Sequence, residues 1–332
     1  MFISPSFLCY NELKVNKLHY IREHFQLKIS EGSVKMKRLK GIVPALMTPF
    51  KKNGEIDFEF LKEHLDFLIE SGVDSLYILG TAAEVFLMDL EERKAVARTV
   101  VEHTAGRIPV FMHVGDLRMD DAEQMIDFAK NIDIAGLGAV TPFYYHFSQQ
   151  QMVDYYQKLA EMAAPELNLY LYNLPSYTTN DLLPDSVAAL SQTKNIIGIK
   201  NSMGDLERLY SLIDQSQDDF DIIMGNDLLA YPAFLYGAKA VVSGHSNVYP
   251  EIFVKLYQAL QEGDLKTARK MQEATTIIGR VLKGGSNLAY YKKAVEFRGF
   301  KPVYSREPIG KLKEREIEKL KSELKMIEGK YL

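Results

Sequence analysis

Short apolar segments alternate with segments of helical period along most of the chain. Eight runs of mainly hydrophobic residues begin at Gly41, and each is long enough for one β-strand. Each run is followed by a stretch in which apolar residues recur every three to four positions, the period of an amphipathic α-helix. The predicted strands lie at 41–50, 75–80, 109–115, 134–142, 167–174, 195–202, 220–226 and 239–246.

Residues that begin and end helices support the predicted helical stretches. Gly72 follows the first stretch as a stop signal, Asp89 precedes the next as an N-cap, and Pro250 stands at the start of the last. The apolar residues of the first stretch fall on one face of a helix, and they are Phe60, Leu61, His64, Leu65 and Leu68.

This alternation predicts an α/β fold with a parallel sheet. Strands and helices taken in turn pair through right-handed crossovers, and continuous apolar strands are buried on both faces. Eight units favour the closed (β/α)8 or TIM barrel, over residues 36–262. An open doubly wound sheet is the alternative, but its usual glycine-rich turn is missing after the first strand, in "TPFKKNGEID".

Residues 263–332 are predicted to form a C-terminal helical region. An apolar stripe near its end is expected to be an ordinary packing face, because a coiled coil needs several more heptads. The stripe consists of Ile317, Leu320, Leu324 and Ile327.

The composition of the chain argues against nucleic acid or a membrane as a binding partner. The 332 residues are 47% hydrophobic and 25% charged, and the formal net charge is −4. A nucleic-acid-binding protein shows a basic surface, and a membrane span needs roughly 20 apolar residues, so neither partner is expected. Cys9 is the only cysteine, which rules out an intrachain disulfide and is typical of a cytoplasmic protein.

The first 35 residues show no readable period. We interpret residues 1–35 as an N-terminal extension that is either a disordered surface arm or sequence upstream of a true start at Met36.

A lysine at the end of the sixth predicted strand is the first candidate for chemistry. The segment "NIIGIKNS" places Lys200 after an apolar run, at the strand end where barrels of this kind build their active sites. Burial favours the neutral form of a lysine side chain, which is the form that attacks a carbonyl carbon. We therefore interpret Lys200 as a nucleophile that condenses with a 2-keto acid. The alternative is a lysine that reaches solvent, or one paired with Glu84 or Asp227.

Four segments then carry a family resemblance. "GTAAE", "VTPFYY", "LYNLPSYT" and "NIIGIKNS" follow one another as in the dihydrodipicolinate synthase/N-acetylneuraminate lyase family, and the chain resembles that family over residues 40–308. Its most specific part is "YN-P" followed by "GIK", with 28 positions from Tyr172 to Lys200. The resemblance implies a barrel-fold, class I lyase or aldolase that handles pyruvate. It implies no cofactor or metal other than a covalent imine with Lys200, and a homotetramer or at least a dimer.

The resemblance also assigns roles to individual residues. Lys200 stands where the family forms its iminium ion, and Tyr172 stands where a hydroxyl moves protons to and from the substrate. Thr81 and Tyr144 stand where two further hydroxyls complete a relay with it. In relatives this second tyrosine can enter the site of a neighbouring subunit. Val242 occupies the position whose backbone lies beside the keto acid.

Two departures from the family pattern bear on the substrate. Relatives have a hydroxyl residue where this chain has Ala82, which keeps a backbone N–H for the pyruvate carboxylate. One neutral hydrogen bond is worth about 0.5–1.5 kcal/mol, so we expect carboxylate binding to survive in weaker form. Tyr177 stands where true synthases place an arginine that grips aspartate semialdehyde, and a phenol does not replace a bidentate guanidinium.

These departures favour a 2-keto-3-deoxy sugar acid as the substrate, cleaved to or formed from pyruvate and a hydroxylated aldehyde. Condensation of pyruvate with aspartate semialdehyde, the dihydrodipicolinate synthase reaction, is the alternative, followed by N-acetylneuraminate cleavage. Asn226 in "MGND" and Ser243 in "SGHSN" are predicted to contact the substrate, although Asn226 is also placed to cap a helix.

Two other classes of function have weaker support in the sequence. A metal-dependent aldolase needs at least three ligands aimed at one point, and the spacing of the candidate ligands is weak evidence for that: Glu84, His113, Asp116, His146 and His245. A binding protein that keeps the fold without chemistry has little need for a buried amine. The sequence favours the enzyme.

Overall fold

Eight parallel strands form a nearly closed barrel in a computed structural model that describes residues 37–332. The extension predicted for residues 1–35 lies outside the described residues. Strands β1 to β8 pair in the order β1-β8-β7-β6-β5-β4-β3-β2, and a single parallel bridge from Ala45 to Tyr77 joins the two ends. The strands are β1 Gly41–Pro44, β2 Leu76–Ile78, β3 Val110–His113, β4 Gly136–Val140, β5 Leu169–Asn173, β6 Ile196–Asn201, β7 Asp221–Met224 and β8 Ala240–Ser243.

The predicted TIM barrel is therefore confirmed, and each observed strand is shorter than its apolar run. The run at 239–246 contains only the four strand residues Ala240–Ser243, and the residues after them form a 3₁₀ turn at His245–Asn247. The apolar runs thus include the loops that carry the site.

Helices follow the strands and cover the outside of the barrel. Those of the barrel are α1 Phe58–Glu70, α2 Leu90–Thr104, α3 Met119–Ala129, α4 Gln149–Ala163, α5 Pro175–Thr178, α6 Pro184–Leu190, α7 Leu206–Gln215, α8 Ala230–Tyr236 and α9 Pro250–Gln261. The predicted start signals are confirmed. Asp89 forms a capping box with Glu92, and Pro250 is the first residue of α9.

The C-terminal region is helical, as predicted, with α10 Leu265–Val281, α11 Ala289–Phe297 and α12 Glu314–Tyr331. Helix α12 contacts both α10 and α11. Leu320, Leu324 and Ile327 of the predicted stripe are buried in the main hydrophobic core, and Ile317 is half-buried. The stripe is therefore a packing face.

A network of polar side chains closes the floor of the barrel, at the amino ends of the strands. Tyr170 Oη donates to Asp221 Oδ2 at 2.8 Å and accepts the backbone N–H of Leu39 at 3.0 Å. Arg38 lies 3.0 Å from the same carboxylate oxygen. Side chains fill this end and the interior, so the centre of the barrel is a packed core, and barrels of this kind build their active sites at the carboxyl ends of the strands.

Candidate active site

A cavity of about 320 Å³ opens at the carboxyl ends of the strands. Seven of the nine residues assigned to the site from sequence line it: Lys200, Tyr172, Thr81, Ala82, Val242, Asn226 and Tyr177. Tyr177 stands at the rim, with 56% of its surface exposed.

Lys200 lies inside this cavity next to Tyr172. The two residues are register partners on the neighbouring strands β6 and β5, so their side chains point to the same face of the sheet. Lys200 is 4% exposed, and its Nζ lies 3.6 Å from the centroid of the Tyr172 ring and 5.0 Å from that of Tyr77. A Cβ atom at Gly225 would come 3.1 Å from Lys200 Cε and 2.0 Å from Ser202 Oγ, so glycine leaves the room that these side chains occupy.

Neither alternative for this lysine holds. Lys200 does not extend into solvent, and both acids considered as its partners are paired elsewhere. Glu84 Oε1 lies 3.2 Å from Nζ of Lys292, and Asp227 Oδ2 lies 2.5 Å from Nδ1 of His245. Within residues 37–332, no carboxylate oxygen comes within 4.0 Å of Lys200 Nζ. The amine is buried among aromatic rings without an acidic partner.

Tyr172 is buried with its hydroxyl among three polar side chains. Its Oη lies 3.4 Å from Thr81 Oγ1. Burial raises the pKa of this phenol, but the positive charge of Lys200 and the interactions of the hydroxyl with Lys200, Thr81 and Ser202 outweigh burial, so the pKa lies below its usual value of 10.0. A phenol in this environment gives up its proton more easily than a free tyrosine does.

The loop after β2 brings Thr81 and Ala82 to the cavity. It forms a 3₁₀ turn at Thr81–Ala83, whose first N–H groups have no partner within the turn. Leu79 and Glu84 flank the turn with left-handed backbone angles, φ 58° at each, which non-glycine residues seldom adopt. Strained backbone of this kind clusters at functional sites.

Two residues assigned from the sequence stand apart from the cavity. Tyr144 is 78% exposed, has a φ of 71°, and packs edge-to-face on Tyr145. Ser243 is fully buried, and its Oγ accepts the backbone N–H of Ser246 at 2.9 Å. Neither side chain is among the described residues that line the cavity.

Polar side chains beyond the nine assigned residues also line the cavity, among them Ser202, Asp227, His245 and Tyr291. Asn226 combines both interpretations offered for it, since it lines the cavity and its Oδ1 caps the turn by accepting the N–H of Leu228 at 3.0 Å. Tyr291 comes from helix α11, far along the sequence from any strand end, and no local pattern in the sequence marks it.

The metal ligands suggested by the sequence do not come together in the described part of the structure. Within residues 37–332, no group of three or more His, Cys, Asp or Glu side chains is placed to hold a metal ion. His113 Nε2 accepts the backbone N–H of Val140 at 3.1 Å, and burial lowers the pKa of His113 to about 3. In the same part of the chain, no helix is both long and apolar enough to cross a bilayer.

Comparison with known proteins shows the family of this chain. The model of the dihydrodipicolinate synthetase family matches residues 38–327. A 4-hydroxy-tetrahydrodipicolinate synthase of Geobacter metallireducens is 33% identical over 78% of this chain and 89% of its own length. A probable 2-dehydro-3-deoxy-D-pentonate aldolase of Escherichia coli, YjhH, is 34% identical over 72% of this chain and 80% of its own.

Solved structures show the same barrel. One is YagE of Escherichia coli, a prophage protein of the dihydrodipicolinic acid synthase family that was solved in complex with pyruvate. YagE is similar to this chain with a TM-score of 0.83 and 28% sequence identity, and the match covers 87% of this chain and 98% of YagE. Dihydrodipicolinate synthase DapA-2 of Bacillus anthracis has the same TM-score at 29% identity, covering 87% and 99%. The chain described here belongs to the dihydrodipicolinate synthetase family and is a lyase.

Proposed function

We propose that this lyase is a class I aldolase that forms an imine between Lys200 and pyruvate, and that its substrate is a 2-keto-3-deoxy sugar acid. The observation that carries the proposal is the position of Lys200, a buried amine without a carboxylate partner, beside a phenol with a lowered pKa. Such an amine is suited to attack a ketone rather than to form an ion pair.

The chemistry follows from these two groups. In cleavage, the neutral Lys200 Nζ attacks the C2 carbonyl carbon of the substrate. Tyr172 donates its proton to the departing C2 oxygen, and loss of water gives an iminium ion beside the phenolate. Tyr172 accepts the proton of the C4 hydroxyl, the C3–C4 bond breaks, and the aldehyde leaves while the electron pair passes to the iminium. Protonation at C3 of the resulting enamine and addition of water then release pyruvate and the free amine.

The turn after β2 is assigned to the carboxylate of the keto acid. The N–H groups of Thr81 and Ala82 lie at the start of this turn and are free to donate to an anion. Thr81 has a second role, because its Oγ1 lies 3.4 Å from Tyr172 Oη and connects that phenol to the loop. No metal or organic cofactor takes part in this scheme.

The charge of the cavity wall favours a hydroxylated aldehyde over aspartate semialdehyde. Lys200 is the only cationic side chain of Lys or Arg type among the described lining residues, and it is engaged by the keto acid. Tyr177 stands at the rim and donates to the backbone carbonyl of Gly285 at 3.4 Å. A second carboxylate would therefore meet no guanidinium, whereas hydroxyl groups would meet Asn226, Ser202 and Tyr291.

Tyr144 is proposed to act in a homotetramer, from a neighbouring subunit. Its aromatic side chain is 78% exposed beside the exposed ring of Tyr145, and large exposed aromatic groups are typical of interfaces. A single chain leaves this residue outside its own cavity, so its contribution to the relay depends on assembly.

A panel of acceptors tests the substrate. Purified protein would be incubated with pyruvate and, in separate reactions, glycolaldehyde, glyceraldehyde, N-acetylmannosamine or aspartate semialdehyde, with products read by mass. We expect a kcat/KM for a small hydroxyaldehyde at least roughly tenfold above that for the semialdehyde. Lys200→Met serves as the inactive control. Dominant product from aspartate semialdehyde would assign the synthase reaction instead, and dominant product from N-acetylmannosamine would assign sialic acid cleavage.

A further inference from the structure

A buried histidine and aspartate form a pair in the wall of the same cavity. His245 Nδ1 lies 2.5 Å from Asp227 Oδ2, and the two side chains are 5% and 6% exposed. The same carboxylate oxygen accepts the backbone N–H of His245 at 3.2 Å. Asp227 therefore lies against the ring of His245 and accepts a hydrogen bond from its backbone, which restricts movement of the imidazole.

Each member of the pair has a buried polar atom that lies away from the other member and has no hydrogen-bond partner among the described residues. Within the described chain, neither Nε2 of His245 nor Oδ1 of Asp227 forms a hydrogen bond, although both atoms are buried. Buried polar atoms in native proteins nearly always have a partner, because an unsatisfied one is costly. Both residues line the cavity that contains Lys200, so a molecule bound there can supply the missing hydrogen bonds.

Neighbouring helices hold the imidazole in place. The ring of Tyr291, on α11, packs edge-to-face on His245 with centroids 5.7 Å apart. Helix α10 approaches closely at Gly279, where a Cβ atom would lie 3.3 Å from His245 Cε1 and 3.0 Å from Leu228 Cδ2. The C-terminal region thus supports one wall of the site, and the histidine has little freedom to turn away from it.

The two unsatisfied atoms select the chemistry of the ligand. With Nδ1 facing the carboxylate, Nε2 of a neutral imidazole accepts a hydrogen bond, and Asp227 Oδ1 is also an acceptor. A hydroxyl group can donate to either atom. A carboxylate would meet the like charge of Asp227, and a methyl group would leave both atoms unsatisfied.

We propose that His245, positioned by Asp227, is a specificity-determining residue that binds a hydroxyl group of the aldehyde half of the substrate. This inference rests on the proposed function, in which Lys200 holds the pyruvate half. It assigns the preference for a sugar-derived aldehyde to one pair of side chains, in a cavity where the arginine of the synthases is replaced by Tyr177.

The test compares two acceptors of equal carbon chain, glyceraldehyde and propionaldehyde, which lacks the hydroxyls. In His245→Leu we expect kcat/KM for glyceraldehyde to fall roughly 10- to 100-fold while that for propionaldehyde changes less than about threefold. His245→Gln keeps a polar group near the position of Nε2 and should recover part of the preference. Trapping of the pyruvate imine by borohydride should be unchanged in both variants.

The outcomes separate the two proposals. An unchanged preference for glyceraldehyde in His245→Leu, or an equal loss with both aldehydes, would overturn the role of His245 and leave the aldolase in place. A wild-type protein that traps no pyruvate and condenses neither aldehyde would overturn the proposed function, and this inference with it.

Discussion

Two lysines are buried within residues 37–332, and their surroundings differ. Lys292, on α11, is 2% exposed, with its Nζ 3.2 Å from Glu84 Oε1 and donating to the carbonyl of Thr48. Lys200 is 4% exposed and has aromatic rings and a phenol as neighbours instead of a carboxylate. Burial alone therefore does not identify a nucleophile. The partner decides whether a buried amine is part of an ion pair or is free to react.

The two regions are nevertheless connected through Glu84. This residue ends the turn that brings Thr81 and Ala82 to the cavity, and its other carboxylate oxygen accepts the backbone N–H of Arg306 at 2.8 Å. The ion pair with Lys292 thus anchors the carboxylate-binding turn to the C-terminal region. One lysine is expected to perform the chemistry, and the other to hold the loop beside it.

The same substitution at both lysines should separate their roles, and the largest effect is expected at Lys200. Lys200→Met keeps the length of the side chain but removes the nucleophile, so kcat/KM should fall by at least about 10⁴-fold. Stability should be unchanged or higher, because no ion pair is lost. Turnover and urea unfolding measure the two effects. Activity within tenfold of wild type would place the reacting amine elsewhere.

Removal of the neighbouring hydroxyl should have a smaller effect. Tyr172→Phe keeps the ring beside Lys200 but removes the group that accepts the proton, so turnover should fall by about 10²- to 10⁴-fold. The imine with pyruvate should still form, more slowly. Single-turnover kinetics together with borohydride trapping would show both, and near-normal turnover would remove Tyr172 from the proton path.

Lys292→Met should act on stability instead of chemistry. It leaves the carboxylate of Glu84 buried without its cation, which typically costs about 3–5 kcal/mol of unfolding free energy. The double variant Lys292→Met/Glu84→Gln removes both charges and should recover most of that loss. Folded Lys292→Met protein should still trap pyruvate. Loss of trapping in a folded sample would mean that Lys292 takes part in the reaction.

The pH dependence of stability gives the smallest predicted effect. Burial lowers the pKa of Lys292 to about 8, although Glu84 acts to raise it, from an ordinary value of 10.5. Between these values the unfolded chain binds the proton and the folded protein releases it, so this residue makes stability rise with pH. From about pH 7 to about pH 9.5 the gain is about 2 kcal/mol. Urea unfolding of wild type should show it relative to the double variant, and parallel pH profiles would contradict it.

Local patterns in the sequence predict the barrel and the position of Lys200, but they do not predict the buried ion pair of Lys292. The strand and helix periods, the cap at Asp89 and the lysine at the end of β6 are all readable from neighbouring residues. The sequence offers Glu84 and Asp227 as partners of Lys200, but in the structure they pair with Lys292 and His245. Their true partners follow from how α11 and the loop after β8 pack on the barrel, which no local period encodes.

The role of Lys200 is tested most directly by finding which amine captures pyruvate. Wild-type protein would be treated with pyruvate and borohydride, digested, and mapped by mass spectrometry. We expect a single reduced adduct on the peptide that contains Lys200, with Lys292 unmodified. An adduct on Lys292, or no adduct on either lysine while the protein is folded, would contradict it.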